Sequence, residues 1–431
     1  MKKWFFILIL FIAANNVSGQ RVLTLQAAID SALKQNLDLA IARTDIEAAA
    51  ILNHISVAGG IPTVSGTLNS QEQVTAVNQK LNSGQEINRS SAASNTTQIG
   101  VTASMLVFNG WRVVATKKRL EELQKLTEAQ LAVQIQNVIA QVMVSYYDVV
   151  RQGDYLSTLN YSLQLAQDRL RIFQVRKDVG LANNADIFQA QIDANAILQN
   201  IAAQQLVLSQ AKVDLMSLMD SKDTSFIISD TIIVDPSLKF DSILAYIQNH
   251  PEVQAAAQQV KVNEQLVKEI AAQRYPAVRV NAGYNFNRNQ NAAGLTLLNQ
   301  SYGPFLGLNV QVPIFNGGAT KRQKRAAEYD VTAAALQKEN VLLSLNNSAL
   351  RSYQAYVNTL QQLQKERENY ELSKKLVDLT IQRFNLNVAT IIEVREAQRS
   401  FEETGFRLVN LSYAAKAAEI ELRRLSNQLL Q

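Results

Sequence analysis

The chain says nearly the same thing twice, and this duplication limits its fold more than any other feature. Phe108-Asn109-Gly110 recurs as Phe315-Asn316-Gly317, and the same spacing of 207 carries Tyr146 onto Tyr353, Arg176 onto Arg383 and Ala190-Gln191 onto Ala397-Gln398. Upstream the spacing is 214, pairing Pro62 with Pro276, Ile29 with Ile243 and Leu39 with Val253. A repeat of this kind governs the fold as a whole. The seven-residue change in spacing is expected in the loops between the strands of each half.

Helix breakers are distributed in a way that defines the long elements. Proline is absent between Pro62 and Pro236 and again after Pro313, and from Ala319 to Thr404 there is neither glycine nor proline. Because an interior proline costs a helix about 3 kcal/mol, these spans are free to form very long helices. The span from Gly318 to about Leu386 predicts a helix of roughly 100 Å at 1.5 Å per residue, where an ordinary globular helix has about 11 or 12 residues. Leu342, Leu345, Ala349, Tyr353, Tyr356, Leu360 and Leu363 follow three-and-four spacing, as do Ile135, Val138, Val142, Tyr146, Val149, Gly153 and Leu156. Such a seam is coiled-coil packing. At the far ends, Gly180 and Asn387 suit left-handed C-caps, and Asn183 or Asn184 and Thr390 suit N-caps of returning helices.

Before each long helix the period changes to two. Val278, Val280, Ala282, Tyr284 and Phe286 alternate with Arg279, Asn281, Asn285 and Asn287, and Leu306, Leu308, Val310, Val312 and Ile314 alternate with Asn309 and Gln311. In the first half Ile99, Val101, Ala103, Met105 and Val107 alternate with Gln98, Thr102 and Ser104. A half-buried soluble sheet alternates in the same way. Strand length near ten residues with aromatics near the ends favours membrane strands. Four strands cannot close a barrel, which takes about eight or more, so several chains would share one. Segment 69–97 is polar and low in aromatics and is expected to be a mobile loop at the outer mouth.

The N-terminus, MKKWFFILILFIAANNVSGQ, has the charged start, apolar centre and small-residue end of a secretory signal peptide cleaved before Gln20. Loss of Lys2 and Lys3 lowers the net charge from +5 to +3, too mild to suggest nucleic acid as a partner. There is no cysteine, hence no disulfide or thiol chemistry. His54 and His250 are the only histidines and do not correspond in the repeat; neither a metal site, a cofactor site nor an enzyme is expected. Lys117-Lys118-Arg119 and Lys321-Arg322-Gln323-Lys324-Arg325 place positive charge in early helical turns, against the macrodipole, either to contact phospholipid headgroups or as a solvated face.

The expected organisation is a signal peptide over 1–19 followed by two repeats. The first, 20–240, holds a helix, strands at about 62–76 and 97–109, a long helix over 111–178, a return helix over 184–220 and a linker over 221–240. The second, 241–431, holds a helix, strands at about 276–288 and 302–315, a long helix over 318–386 and a return helix over 390–430. The alternative is an exported structural coiled-coil protein without transport activity.

The duplicated Phe-Asn-Gly turns, the lead-in HPEVQAA at 250–256, the strand-opening prolines and the tip segments VGLANNADIFQAQ and NVATIIEVREAQRS resemble the outer membrane efflux protein family, the TolC-like channels. The resemblance implies a mainly α protein with a small membrane β-barrel portion: a homotrimer whose twelve strands form one barrel and whose helices form a periplasmic α-barrel, with 221–240 in the equatorial belt. It implies a passive exit duct of an efflux or type I secretion system, in contact with outer membrane lipid, a periplasmic adaptor and an inner membrane pump or ABC exporter. Glu393 and Glu396 fall where the family narrows its entrance, with Asp186 in the first copy. Arg395 between them departs from the purely acidic pattern, and solvation or pairing with Arg395 or Arg399 is the plainer role for these acids. Adaptor contact is implied for Arg176, Gly180, Leu181, Arg383, Asn387 and Val388, beside an ordinary capping role for Gly180 and Asn387. Phe108, Asn109, Gly110, Phe315, Asn316, Gly317 and Gly318 are the strand-to-helix turns.

Overall fold

The structure is a computed structural model that describes residues 22–180, 182–221, 226–386 and 388–429. The expected signal peptide, Leu181 and Asn387 lie outside them. Eight helices are named here: α1 (Leu25–Gln35), α2 (Leu37–Leu52), α3 (Arg112–Asp178), α4 (Asn184–Met219), α5 (Phe240–Ile247), α6 (Pro251–Ala272), α7 (Ala319–Asn385) and α8 (Ile391–Leu425). The strands are β1 (Thr63–Lys80), β2 (Glu86–Phe108), β3 (Ala277–Asn291) and β4 (Leu298–Gln311). Both α3 and α7 have 67 residues. Among the described residues no helix is long and apolar enough to cross a membrane.

In space the chain divides otherwise than in sequence. One compact unit gathers residues 45–128 and 255–338, the other the described parts of 1–44, 129–254 and 339–431, so each takes pieces from both repeats.

The first unit contains one antiparallel sheet in the order β1-β2-β3-β4. Its register joins the two repeats face to face. Val64, Ala103, Ala282 and Leu306 stand in one row, and Leu68, Ile99, Phe286 and Tyr302 in another. The alternate rows are mainly polar, with Leu106 and Phe305 as large apolar exceptions: Asn69, Gln98, Asn287 and Ser301 form one of them. Since directly paired residues share a face, the sheet carries one continuous apolar surface and one polar surface. Leu306 is 79% exposed and Leu308 68%, so the apolar surface is uncovered.

Three expectations about the strands require correction. Segment 69–97, read as a mobile loop although the first strand was expected to run to about 76, instead continues the β1–β2 ladder as far as Lys80 opposite Glu86. Its polarity misled because a strand with water on both faces needs no apolar alternation; the ladder itself satisfies the backbone. The change in repeat spacing therefore lies in longer strands, since the turns occupy only 81–85 and 292–297. Finally, the last ladder pair of β4 is Gln311 with Ala277, so Val312–Phe315 lies beyond the strand; Pro313 has no N–H to extend the ladder.

The second unit is held by apolar seams on the long helices. Val138, Val142, Tyr146 and Val149 of α3 pack with Ile29, Leu39, Leu215 and Met219. In the other copy Leu345, Ala349 and Tyr356 of α7 pack with Ile243, Ile247, Val253 and Leu425. Full burial of each large side chain contributes about 1.5–3 kcal/mol. Two buried tyrosines also hold the segment between the repeats: Tyr146 donates to the Leu23 carbonyl at 3.0 Å and to Asp230, and Tyr356 to the Asp235 carbonyl. Arg423 reaches the Asp235 carboxylate at 3.0 Å. Tyr353, the sequence counterpart of Tyr146, instead stacks with Phe240 at 5.2 Å; the role has moved three residues along α7.

Candidate functional site: the helix tips and the strand-to-helix corners

Each corner between strand and long helix turns through two consecutive left-handed residues. In the second copy these are Gly317 (φ 66°) and Gly318 (φ 75°); in the first they are Gly110 (φ 68°) and Trp111 (φ 67°). Gly110 has a second constraint, for a Cβ there would come within 2.5 Å of Tyr275 Cβ and 2.8 Å of the Ala272 carbonyl oxygen. Asn109 follows its turn by accepting from the Val113 amide at 3.3 Å. Asn316 donates to the Thr320 hydroxyl at 2.6 Å. Phe108 meets Trp111 edge to face at 6.2 Å, while Phe315 is 87% exposed.

At the other end of the long helices, α3, α4, α7 and α8 close over Phe173, Ala190, Phe384 and Val394. Phe173 and Phe384 meet edge to face at 5.7 Å with an interplanar angle of 66°, a geometry that adds about 0.5–1.5 kcal/mol beyond burial. Arg176 stacks its guanidinium 4.1 Å from the Phe384 ring centroid and donates to the Phe384 carbonyl, so it ties the two tips together within the chain. Gly180 (φ 77°) ends α3 in the left-handed conformation. Arg383 accepts twice through its carbonyl, from Val388 N at 2.8 Å and Ala389 N at 3.3 Å, ending the α7 turn.

Two of the three acids expected at the entrance, Glu393 and Asp186, have local partners. Glu393 and Thr390 form a capping box at the start of α8, in which each side chain satisfies the other's backbone N–H. Arg383 lies 3.7 Å from Glu393. The Thr390 backbone N–H and hydroxyl, then Arg383, hold the Glu393 carboxyl below its ordinary range. Asp186 makes the same box with Asn183 at the start of α4. Glu396 is exposed and three residues from Glu393, on the same side of α8.

Behind the tips lies a buried polar network that sequence reasoning missed. Arg169 (α3), 5% exposed, donates to Asp193 (α4) at 2.6 Å and to Gln398 (α8) at 3.0 Å. Arg395 approaches Asp193 at 3.6 Å. Burial pulls the Arg169 guanidinium below its usual range, opposed by Asp193, and burial raises the Glu402 carboxyl against the opposite pull of Arg169. Nothing local in the sequence signals the network, because its members are separated by up to 229 residues. The tips also expose apolar side chains that the sequence did not single out, Val179, Phe188, Ile192, Leu386 (75%) and Ile392 (72%), as well as the predicted Val388.

Among the described residues no group of acids or histidines is arranged to hold a metal ion. A four-stranded sheet with an uncovered apolar face, continued by paired helical hairpins, defines a channel-type outer membrane protein. The chain belongs to the outer membrane efflux protein family, whose model matches residues 28–220 and 244–428; it is an outer membrane channel protein and not an enzyme. The outer membrane protein TolC of Vibrio cholerae is 22% identical over 80% of this chain and 80% of its own. The pyoverdine export outer membrane protein OpmQ of Pseudomonas aeruginosa is 24% identical over 93% of this chain and 81% of its own. The CmeC outer membrane channel of Campylobacter jejuni superposes with a TM-score of 0.74 at 16% identity, over 94% of this chain and 85% of that one.

Proposed function

We propose that three copies of this chain form a passive exit duct, the outer membrane component of a tripartite efflux or type I secretion system. The observation that carries the reading is the sheet: four strands, an uncovered apolar face, and open edges at β1 and β4. Open edges demand partners, a membrane barrel takes about eight strands or more, and three copies supply twelve. The polar rows then face a water-filled lumen and the apolar rows face lipid. Energy comes from an inner membrane pump or ABC exporter, joined through a periplasmic adaptor.

The tips serve two purposes in this reading. The exposed apolar side chains of the tips, Val388 among them, form the adaptor contact together with Arg176, Gly180 and Arg383; Leu181 and Asn387 are included on the family resemblance alone. Glu393 and Glu396, with Asp186, contribute carboxylates that threefold repetition turns into rings favouring cations. The domain organisation that goes with it keeps residues 221–240 as the equatorial linker.

The test is single-channel recording on purified protein in planar bilayers. Glu393→Gln with Glu396→Gln removes the charges while leaving the capping box able to form. Lower cation selectivity is expected; unchanged conductance and selectivity removes these residues from the constriction. A soluble, monomeric product in cell fractionation defeats the duct reading itself.

A further inference from the structure

The two corners carry repeated basic clusters, yet the structure treats them differently. In the first copy most of the charges are answered within the chain: Arg119 pairs with Glu269 at 2.7 Å, Arg112 approaches the same carboxylate at 4.0 Å, and Lys117 donates to Asn53, which leaves Lys118 exposed. In the second copy Lys324 pairs with Glu328 at 2.7 Å. Lys321 and Arg322 are exposed, and among the described residues no acid pairs with either. Arg325 also has no acidic partner there; its guanidinium sits 6.0 Å from the Tyr329 ring.

Arg325 lies four residues after Lys321 and three after Arg322, so it neighbours both on the surface of α7, where the like charges repel. They also lie in the first two turns of a helix with no acid in its first turn, opposing the macrodipole. An arrangement unfavourable on both counts is relieved by an anion from outside the chain. Immediately before it, the apolar period of β4 continues past the strand through Val312 (54% exposed) to Ile314 (94%), with Phe315 at 87%. Apolar surface thus gives way to uncompensated positive charge within a few residues, the order in which a bilayer presents acyl chains and then phosphates.

We infer that Ile314, Phe315, Lys321, Arg322 and Arg325 form a binding surface for anionic glycerophospholipid headgroups at the periplasmic boundary of the membrane. The inference rests on the membrane-spanning reading of the sheet. An anionic lipid is the better match than a zwitterionic one, because an ethanolamine or choline group brings its own cation and leaves the protein's charges unanswered. Each basic residue near a charged membrane surface adds attraction that falls off within a Debye length.

The experiment reconstitutes the full chain in phosphatidylcholine vesicles with a trace of spin-labelled phosphatidylglycerol or spin-labelled phosphatidylcholine, and measures the motionally restricted fraction of each. The expected result at low salt is a preference of about threefold or more for phosphatidylglycerol, falling towards unity in the triple variant Lys321→Gln, Arg322→Gln, Arg325→Gln and in high salt. Lys338→Gln, farther along α7, retains the preference. Equal association of both lipids with the unsubstituted protein, or a preference that survives the triple substitution, overturns the inference. Absence of any restricted lipid defeats the membrane reading and this inference with it, a result distinct from restriction without selectivity.

Discussion

Trp111 and Gly318 occupy the same place in the two repeats and adopt the same left-handed backbone, at φ 67° and φ 75°. The second copy uses the one residue that does so without penalty; the first holds a bulky side chain there, at a cost of about 1–3 kcal/mol. Nothing lies within 4 Å of a Cβ placed at Gly318, whereas Gly110 is hemmed by Tyr275 and Ala272. Gly318→Ala is therefore expected to lose only conformational energy, about 1–2 kcal/mol. Gly110→Ala adds a steric clash of about 1 kcal/mol or more. Urea unfolding of the two variants in the same detergent checks the order.

Asn36 and His250 are 214 residues apart and do the same work. Asn36 Oδ1 accepts from Asp38 N and Leu39 N at 3.0 and 3.2 Å, opening α2; His250 Nδ1 accepts from Glu252 N at 3.3 Å, opening α6. The repeat partner of the histidine is thus an N-cap asparagine, which explains a buried histidine with no metal or catalytic setting. Burial first, and then Arg424, holds the His250 imidazole below its ordinary value of 6.5, against the opposite pull of Glu252 and Glu421. A lowered folded-state value means that stability is full above 6.5 and is lost as the pH falls through the folded value. His250→Asn should keep the cap and abolish this part of the acid loss. Urea midpoints from about pH 7.5 to 5.5 compare the two proteins.

Thr390 and Glu393 form a reciprocal box, so their removal is expected to fray the start of α8 rather than unfold the protein. Thr390→Ala should cost about 1 kcal/mol, seen as faster hydrogen exchange at residues 391–394. The Glu393 carboxyl is depressed, so its contribution is present above its ordinary value of 4.5 and disappears as the pH falls through the folded value. Protection of the same amides should therefore decline in acid in the unsubstituted protein and stay flatter in Glu393→Gln.

Arg169 is buried with Asp193 as its ionic partner at 2.6 Å. Asp193→Ala leaves that guanidinium without its nearest counter-charge and should cost about 3 kcal/mol. Arg169→Met combined with Asp193→Leu should recover most of the loss, because a well-packed apolar pair substitutes for a buried ion pair. Thermal unfolding of the single and double variants decides the matter: equal destabilisation by both would mean that the charges contribute specifically to the native packing.

The elements with a strong period were legible in advance. The apolar seams of α3 and α7 are buried where three-and-four spacing places them, as Val138, Val142, Leu345 and Ala349 illustrate. Thr390 and Asn183 cap the return helices as their residue types suggest. The far half of the β1–β2 hairpin was illegible because both of its faces are polar, leaving no alternation to read. The equivalence of Asn36 and His250 was hidden by unlike chemistry, and that of Tyr146 and Tyr356 by a shift of nearly one helical turn.

By itself the sequence determined the duplication, the lengths of the helices and the places where strand gives way to helix, since these depend on periodicity and on where glycine and proline fall along one segment. Only the tertiary structure decided which charges are spent and which remain. Glu269 meets Arg119 across 150 residues, and Asp193, Arg169 and Gln398 come together from three helices, while Lys321 and Arg322 meet no acid among the described residues. A charge acts over a few ångströms of space, and the residues within that distance are set by packing between distant segments rather than by neighbours in the chain.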